Sequence, residues 1–425
     1  MVSIRLNIYK DLLVLNILII NHYAGTDELG MEYRHFYLGQ ELVRIGHNVT
    51  IVAASYSHLR RQQPIVNGWY KYEVNCGLKY CFIKSSSYRK NGIKRFLNMF
   101  TFICNLFLLS NKISKEVTPD VVINSSTYPM DIWPAKFIAK KTKAKLVFEL
   151  HDIWPMSPKE IGGMSHWHPF IQICQIAENC VYNSVDGVVS LLPEVHEYVS
   201  DRGICLTKLL ICPNGFKSFE SQRELPVTLR TEISTYIASA KLENKIIVVY
   251  TGSMGLANAL DNLLDCAKIS SMHQFCFVLV GSGIESKRLN ARIGNENIGS
   301  VAVFDPIKKS EVSELLGLCD IGYLGAPSHP LYKYGVSQNK FIDYTLANLP
   351  IVNATEAGNN LIDDTGCGFT VEPDNPWALS KALIEYASLS LRERTEMGRR
   401  GRAYTESNLN YQALANDLSS FLNDL

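Results

Sequence analysis

Residues 327 to 350 read Pro-Ser-His-Pro-Leu-Tyr-Lys-Tyr-Gly-Val-Ser-Gln-Asn-Lys-Phe-Ile-Asp-Tyr-Thr-Leu-Ala-Asn-Leu-Pro, and they follow a short apolar run, Asp320 to Leu324, of strand type. Together they read as a strand exit leading into a helix. Ser337 is a natural N-cap, Lys340 then falls on the third helical position, and Asp343 lies one turn deeper. A helix opening has free N–H groups and the positive end of the dipole, both of which attract anions. Lys340 adds a full charge, and the Asp343 carboxylate can accept hydrogen bonds from a ribose diol. The stretch outlines a nucleoside-diphosphate site; the plainer reading is a capped surface helix.

Outward from this stretch, strand-like and helix-like segments alternate along the whole chain. Leu12–Ile20, Asn48–Ala53, Lys79–Lys84, Asp120–Asn124, Ala144–Leu150, Gly187–Leu191 and Leu209–Cys212 read as strands, with helical spacing over Glu32–Ile45, Ile93–Ser114, Met130–Lys141 and Ile171–Asn183. Such alternation predicts parallel strands joined by crossover helices. Pro213-Asn214-Gly215 and the polar residues after it form a break, and the pattern restarts at Lys245–Tyr250. The 425 residues exceed what one core normally supports. We therefore expect an α/β chain of two Rossmann-like, doubly wound halves, 1–215 and 216–408, facing across a cleft, with a helix at about 409–425 returning to the first half.

The bulk composition narrows the function. A formal net charge of +1 and the lack of a long Lys/Arg run exclude a general nucleic-acid binder. Eleven cysteines without a C-x-x-C pair read as reduced core thiols. His166 and His168 have no Cys or carboxylate at ligand spacing, so no metal centre is expected there. The opening apolar run is too short to cross a membrane and no small-residue cleavage site follows it. Residues 93–113 are apolar almost all round, apart from Asn98, Thr101 and Asn105, and follow a basic collar of Arg89, Lys90, Lys94 and Arg95. They fit a buried crossover helix, an interfacial helix on anionic lipid, or, at the limit of length, a span.

Several turns after strands supply candidate binding residues. The loop from Asn21 to Gly30 leads towards Arg34, where glycine lets a backbone approach a ligand and Arg34 can reach an anion. Gly252 follows one strand of the second half, and Gly281 and Gly283 follow the next. The last pair begins a G-x-G pattern with Asp305 further on, as in a dinucleotide-binding dehydrogenase, but Ser286 stands where the third glycine belongs. His151, at the end of a strand beside Asp152 and before Trp154-Pro155, is a candidate for holding a polar substrate or a histidine packed under Trp154. Neither a D-x-D pair nor a Walker loop occurs, so Lys340 and helix N-termini would neutralise a departing diphosphate.

Tyr334-Gly-Val-Ser-Gln-Asn-Lys-Phe-Ile-Asp-Tyr344 through Pro350, with Gly30-Met-Glu-Tyr-Arg-His, Val52 to Arg60 and Gly255 to Asp261, resembles glycosyltransferase family 4, retaining enzymes of the GT-B fold. The likeness is strongest to bacterial transferases similar to fucosaminyl transferases of O-antigen and capsule loci. It implies that Asp343 binds the donor ribose and that Ser337, Asn339 and Lys340, with Gly252, Gly281 and Gly283, hold the nucleotide sugar. Gly335 stands where the family has a glutamate touching the donor sugar, and the family's usual Arg and Lys are missing from 252–258, leaving the diphosphate to Lys340 and Lys333. His151 takes the place of a strand-end histidine near the sugar and, with Lys340, the catalytic role; Gly30 and Arg34 form an acceptor or phosphate loop. The resemblance further implies a UDP-sugar donor, a lipid-diphosphate-linked acceptor, no metal or other cofactor, and a cytoplasmic protein peripheral to the inner face of the membrane. The alternatives are a sugar-nucleotide epimerase of the same fold and a noncatalytic nucleotide-binding subunit.

Overall fold

The computed structural model describes residues 13–30, 33–88, 92–217 and 229–425. The chain forms two units, Met1–Ser218 with Tyr411–Leu425, and Phe219–Asn410. Of the break read at Pro213-Asn214-Gly215 and polar residues 217–226, residues 218–226 lie outside the described residues, as do Arg89 and Lys90 of the basic collar.

The first unit is built on eight strands: β1 (Asn16–Ile20), β2 (Asn48–Ala54), β3 (Tyr70–Asn75), β4 (Leu78–Ile83), β5 (Val121–Asn124), β6 (Lys145–Leu150), β7 (Gly187–Ser190) and β8 (Leu209–Ile211). Their order across the sheet is β3-β4-β2-β1-β5-β6-β7-β8. The central strands are apolar without interruption because helices cover both faces of a parallel sheet. One strand departs from the parallel pattern: β3 runs antiparallel to β4. Cys76 and Gly77 both have positive φ in the turn between them, as a two-residue hairpin of primed type requires.

Five helices of this unit matter below: α1 (Arg34–Arg44), α2 (Ile93–Val117), α3 (Ile132–Thr142), α4 (Met156–Glu160) and α5 (Pro169–Tyr182). Helix α2 is long and apolar enough to cross a membrane, yet Met99, Phe102, Leu106 and Ile113 are buried within the unit and it joins two strands of one sheet. The last helix, Tyr411–Asp424, packs on α1, and Leu414, Leu418 and Leu422 enter the core of the first unit. His47 Nε2 lies 2.7 Å from Ser419 Oγ, which pins this helix to the end of α1.

The second unit holds β9 (Ile246–Ser253), β10 (Phe275–Ser282), β11 (Val301–Phe304), β12 (Ile321–Gly325), β13 (Ile351–Ala354) and β14 (Gly368–Thr370), all parallel, in the order β11-β10-β9-β12-β13-β14. The order reverses direction at β9 and β12, as it does at β1 and β5 in the first unit. In open α/β sheets ligands bind beyond the carboxyl ends of the strands at this switch point.

Candidate active-site residues at the two switch points

In the first unit, the ends of β5 and β6 and the start of α1 converge on one buried carboxylate, Glu149. Its Oε1 accepts from Arg34 Nε at 3.0 Å and Nη2 at 2.8 Å. Its Oε2 accepts from Ser125 Oγ, from His35 Nε2 at 2.8 Å and from His151 Nε2 at 3.2 Å. Burial alone would raise the Glu149 carboxyl, but Arg34 beside it, then His151 and His35, hold it well below the usual carboxylate range. An ionised carboxylate only accepts, so Nε2 of both histidines carries the proton. His35 is kept neutral by burial, against the pull of Glu149. With Nε2 committed to Glu149 and Ser125 (3.0 Å), Nδ1 of His151 is the remaining ring nitrogen, and the side chain is 14% exposed.

Arg34 does not take the role read from the sequence. Besides Glu149 it donates to Pro213 O at 2.6 Å and Cys212 O at 2.8 Å, and it is buried. A guanidinium so engaged ties α1 to the ends of β6 and β8 and is not offered to an anion. Gly30 has φ +74°, and a Cβ there would lie 3.1 Å from the Arg61 side chain; Met31 and Glu32, next in the same motif, lie outside the described residues. His151 does not pack under Trp154, whose ring meets Phe170 edge-on instead. Asp152 accepts from Ile153 N and Ser157 Oγ and so fixes the start of α4.

The ligand atoms of His35, Glu149 and His151 lie within 4.8 Å of one another, close enough to hold one cation. Arg34 already neutralises this carboxylate, and a cation there would sit beside a guanidinium. His35, Ser125 and Glu149 were not singled out from sequence. Arg34 and Glu149 stand 115 residues apart, and only the strand order brings them together.

In the second unit, Gly252 (φ +131°) is the last residue but one of β9 and Gly281 (φ +153°) lies beside it on β10. A Cβ on Gly281 would fall 1.8 Å from Gly252 O, and one on Gly283 2.2 Å from Met254 O. Glycine is therefore required for the two turns to pack. The helix foreseen from Ser337 begins at Asn339 and ends at Leu346, with Gln338 as N-cap, so Lys340 is its second residue rather than its third. Gln338 makes no side-chain cap bond, and the first-turn N–H groups are not capped by it.

Tyr344 anchors this helix: its hydroxyl lies 3.1 Å from Thr251 N, and its ring fills the space that a Cβ on Gly322 would occupy. The result places Lys340 over the β9 turn. Its Nζ donates to Asn258 Oδ1 at 2.6 Å and lies 5.1 Å from the centre of the Tyr250 ring. Burial lowers the ammonium to about 8, Asp343 opposing. Asp343 itself pairs with Lys309 across from the helix. Asn339 is exposed at the helix start, and Lys333 is exposed with its Nζ 4.9 Å from the Tyr334 ring. Gly335 has φ +86°, and Asn359 holds the next residue by bonds to Val336 N (2.7 Å) and Val336 O (3.1 Å).

A model of Glycosyltransferase Family 4 matches residues 30–217, and one of Glycosyl transferases group 1 matches residues 245–388. The Pseudomonas aeruginosa protein described as "Probable glycosyltransferase WbjE" is 20% identical over 293 residues, 68% of this chain and 72% of that one. Among solved structures, sucrose-phosphate synthase from Thermosynechococcus elongatus superposes with a TM-score of 0.66 at 14% identity, over 96% of this chain and 98% of its own. HepE from Anabaena, solved in complex with UDP-glucose, gives 0.64 at 13% identity over 96% and 99%.

Proposed function

We propose that this chain, a GT-B glycosyltransferase, moves a sugar from a UDP-sugar of the N-acetyl-fucosamine type to a lipid-diphosphate-linked sugar in bacterial surface-polysaccharide synthesis. The observation that carries the reading is Lys340: a part-buried ammonium over a glycine-lined strand turn, at the opening of a helix whose N-cap side chain, Gln338, makes no cap bond. Those groups suit an anion such as a diphosphate. UDP-glucose in the HepE complex supports a nucleotide-sugar donor.

In this reading the anomeric C–O bond to the diphosphate breaks while the acceptor hydroxyl forms the new C–O bond on the same face. The acceptor proton passes to the leaving phosphate oxygen, so configuration is retained and no carboxylate base is needed. Lys340 and the helix N–H groups stabilise the charge that grows on the diphosphate, without a metal. Asp343 accepts from the ribose diol, and His151 offers Nδ1 to a hydroxyl. The basic residues Lys94 on α2 and Lys136, Lys140 and Lys141 on α3 support a peripheral position on the inner face of the cytoplasmic membrane.

Gly335, in place of a glutamate that would touch the donor sugar, favours a second reading: a noncatalytic nucleotide-binding subunit of a polysaccharide-synthesising complex. Thermal shift against UDP-, GDP- and dTDP-sugars, followed by turnover with lipid-linked acceptors, separates the two. A UDP-sugar should raise the melting temperature by mass action and be consumed. UDP binding without turnover of any UDP-sugar would favour the subunit, and no nucleotide binding at all would overturn both.

A further inference from the structure

Helix α2 carries its polar stripe inward and an apolar stripe outward. Asn98 is fully buried: its Nδ2 donates to Ser85 Oγ at 3.1 Å and to Ser86 O, and its Oδ1 lies 2.7 Å from His22 Nε2. His22 is fixed in turn by Tyr128, 2.6 Å from its Nδ1. Burial, with Arg60 beside it, brings His22 down to about 3 and keeps it neutral. Thr101 Oγ1 accepts from Ser86 N at 3.2 Å on the same inner stripe. On the outer stripe Leu97 is 52% exposed, Phe100 64% and Leu108 67%. An ordinary soluble helix has the opposite arrangement.

The outer stripe is one wall of a groove of about 860 Å³ whose other walls are Met130 and Trp133 before and on α3, and Phe170 and Ile173 on α5. Among the described residues no charged side chain lines it. The volume is that of a small-molecule site rather than of a shallow surface patch.

We propose that this groove holds the hydrocarbon chain of the lipid-linked acceptor, an isoprenoid chain bearing a diphosphate. The proposal rests on the acceptor reading above and adds the place where its tail lies. Two observations select that occupant. The groove is concave between three helices, so a single chain fills it, whereas the plane of a bilayer would leave it empty. Basic residues stand on the helices that form it, Lys94 on the first turn of α2 and Lys136, Lys140 and Lys141 on α3, and suit an anionic head. The only acids on the three helices are Glu116, on the last turn of α2, and Glu178, which is buried. The tail lies along Leu97, Phe100 and Leu108, away from Arg95, which turns to the opposite side of α2 and donates to the Tyr23 hydroxyl at 3.3 Å.

The test measures binding of fluorophore-labelled geranylgeranyl diphosphate, below its micelle concentration, to the full chain. Saturable binding is expected, weakened about ten-fold or more by Leu97→Glu or Phe100→Glu. Phe100→Leu should stay nearer to the unsubstituted protein than Phe100→Glu. Both positions are more than half exposed, so folding does not depend on them, and an unchanged melting temperature checks this. Equal binding by the Glu variants, or full displacement of the probe by inorganic diphosphate, would overturn the groove. So would variants that lose phosphatidylglycerol vesicles but keep the probe, since the face would then serve a bilayer. If the probe binds in the groove while no lipid-diphosphate-linked sugar is glycosylated with any UDP-sugar, the acceptor reading falls and the groove stands. Transfer that ignores acceptor chain length, together with unchanged probe binding in the Glu variants, removes the groove and leaves the acceptor reading intact.

Discussion

The two switch points of this chain use charge in opposite ways. At the first, every strong donor around Glu149 is already committed: Arg34 to the carboxylate and two carbonyls, His35 and Ser125 to the carboxylate, all of them buried. At the second, the ammonium of Lys340 has Asn258 as a neutral partner and stands at a turn from which glycine excludes side chains. A closed arrangement of this kind holds elements in place, and an open one is left with capacity for a ligand. The lesson is that a charged residue at a strand end is a binding group only if the fold has not already neutralised it.

The sharpest way to break that contrast is to remove Glu149. Glu149→Ala leaves a buried guanidinium without its counter-charge, and breaking one side of such a pair costs about 3–5 kcal/mol. Calorimetry should show the loss in the transition of the first unit; a change below about 1 kcal/mol would mean that the cluster does not hold α1 to β6 and β8. The pH dependence has a definite sign. Because the folded carboxyl titrates below its ordinary 4.5, its stabilisation is complete above that value and is lost as pH falls through the folded value. Acid unfolding of the first unit should therefore be shallower in Glu149→Gln.

At the second switch point the main effect should be on rate rather than stability. Lys340→Ala should lower kcat by about 10²–10³, the usual cost of one preorganised donor to a developing anion, with little change in melting temperature because the ammonium is already partly desolvated. Near-normal turnover would take Lys340 out of the proposed chemistry. Since its folded value is near 8 against 10.5, the unfolded chain binds more protons between those values and stability should rise with pH there. A bound diphosphate draws the proton back, so UDP binding above pH 8 should take up a proton, which calorimetry in buffers of different ionisation enthalpy detects.

The contrast also explains what the sequence disclosed. Strands buried on both faces, such as Ile17–Ile20 and Val121–Ile123, are continuous apolar runs and were readable as such. The hairpin strand Tyr70–Asn75 is half-exposed on the sheet edge and gives no such run. The helix opening at 339–346 was legible because its groups are local, within eight residues of Gln338. The Glu149 cluster was not, since its members come from two strand ends and a helix start and carry no common motif. For α2 the composition is apolar nearly all round, so the sequence alone could not say which stripe faces outward; the bond from Asn98 to His22 decides it.

His151 sits between the two cases, one nitrogen committed and one not. If Nδ1 contacts a substrate hydroxyl, His151→Ala should lower kcat/KM by about ten-fold, the worth of one hydrogen bond, while melting shifts far less than in Glu149→Ala. A loss of stability as large as that of Glu149→Ala would make it a fifth member of the closed cluster.

Asp343 offers the smallest and most discriminating comparison, because its carboxylate pairs with Lys309, whose side chain is 58% exposed. An exposed pair contributes about 0–1 kcal/mol to stability, so neither Asp343→Ala nor Lys309→Ala should move the melting temperature much. Their effects on UDP binding should differ in sign. If Asp343 holds the ribose diol as proposed, its removal takes away an acceptor, and affinity should fall about five- to ten-fold, as for one hydrogen bond to a charged group. Without Lys309 the carboxylate no longer has a competing partner, so UDP affinity should hold or rise slightly, and added salt, which screens the exposed pair, should bring the unsubstituted protein towards that variant. If the two substitutions weaken UDP equally, the pair acts as a unit that fixes the helix, and the ribose must be held by other groups at the opening of 339–346.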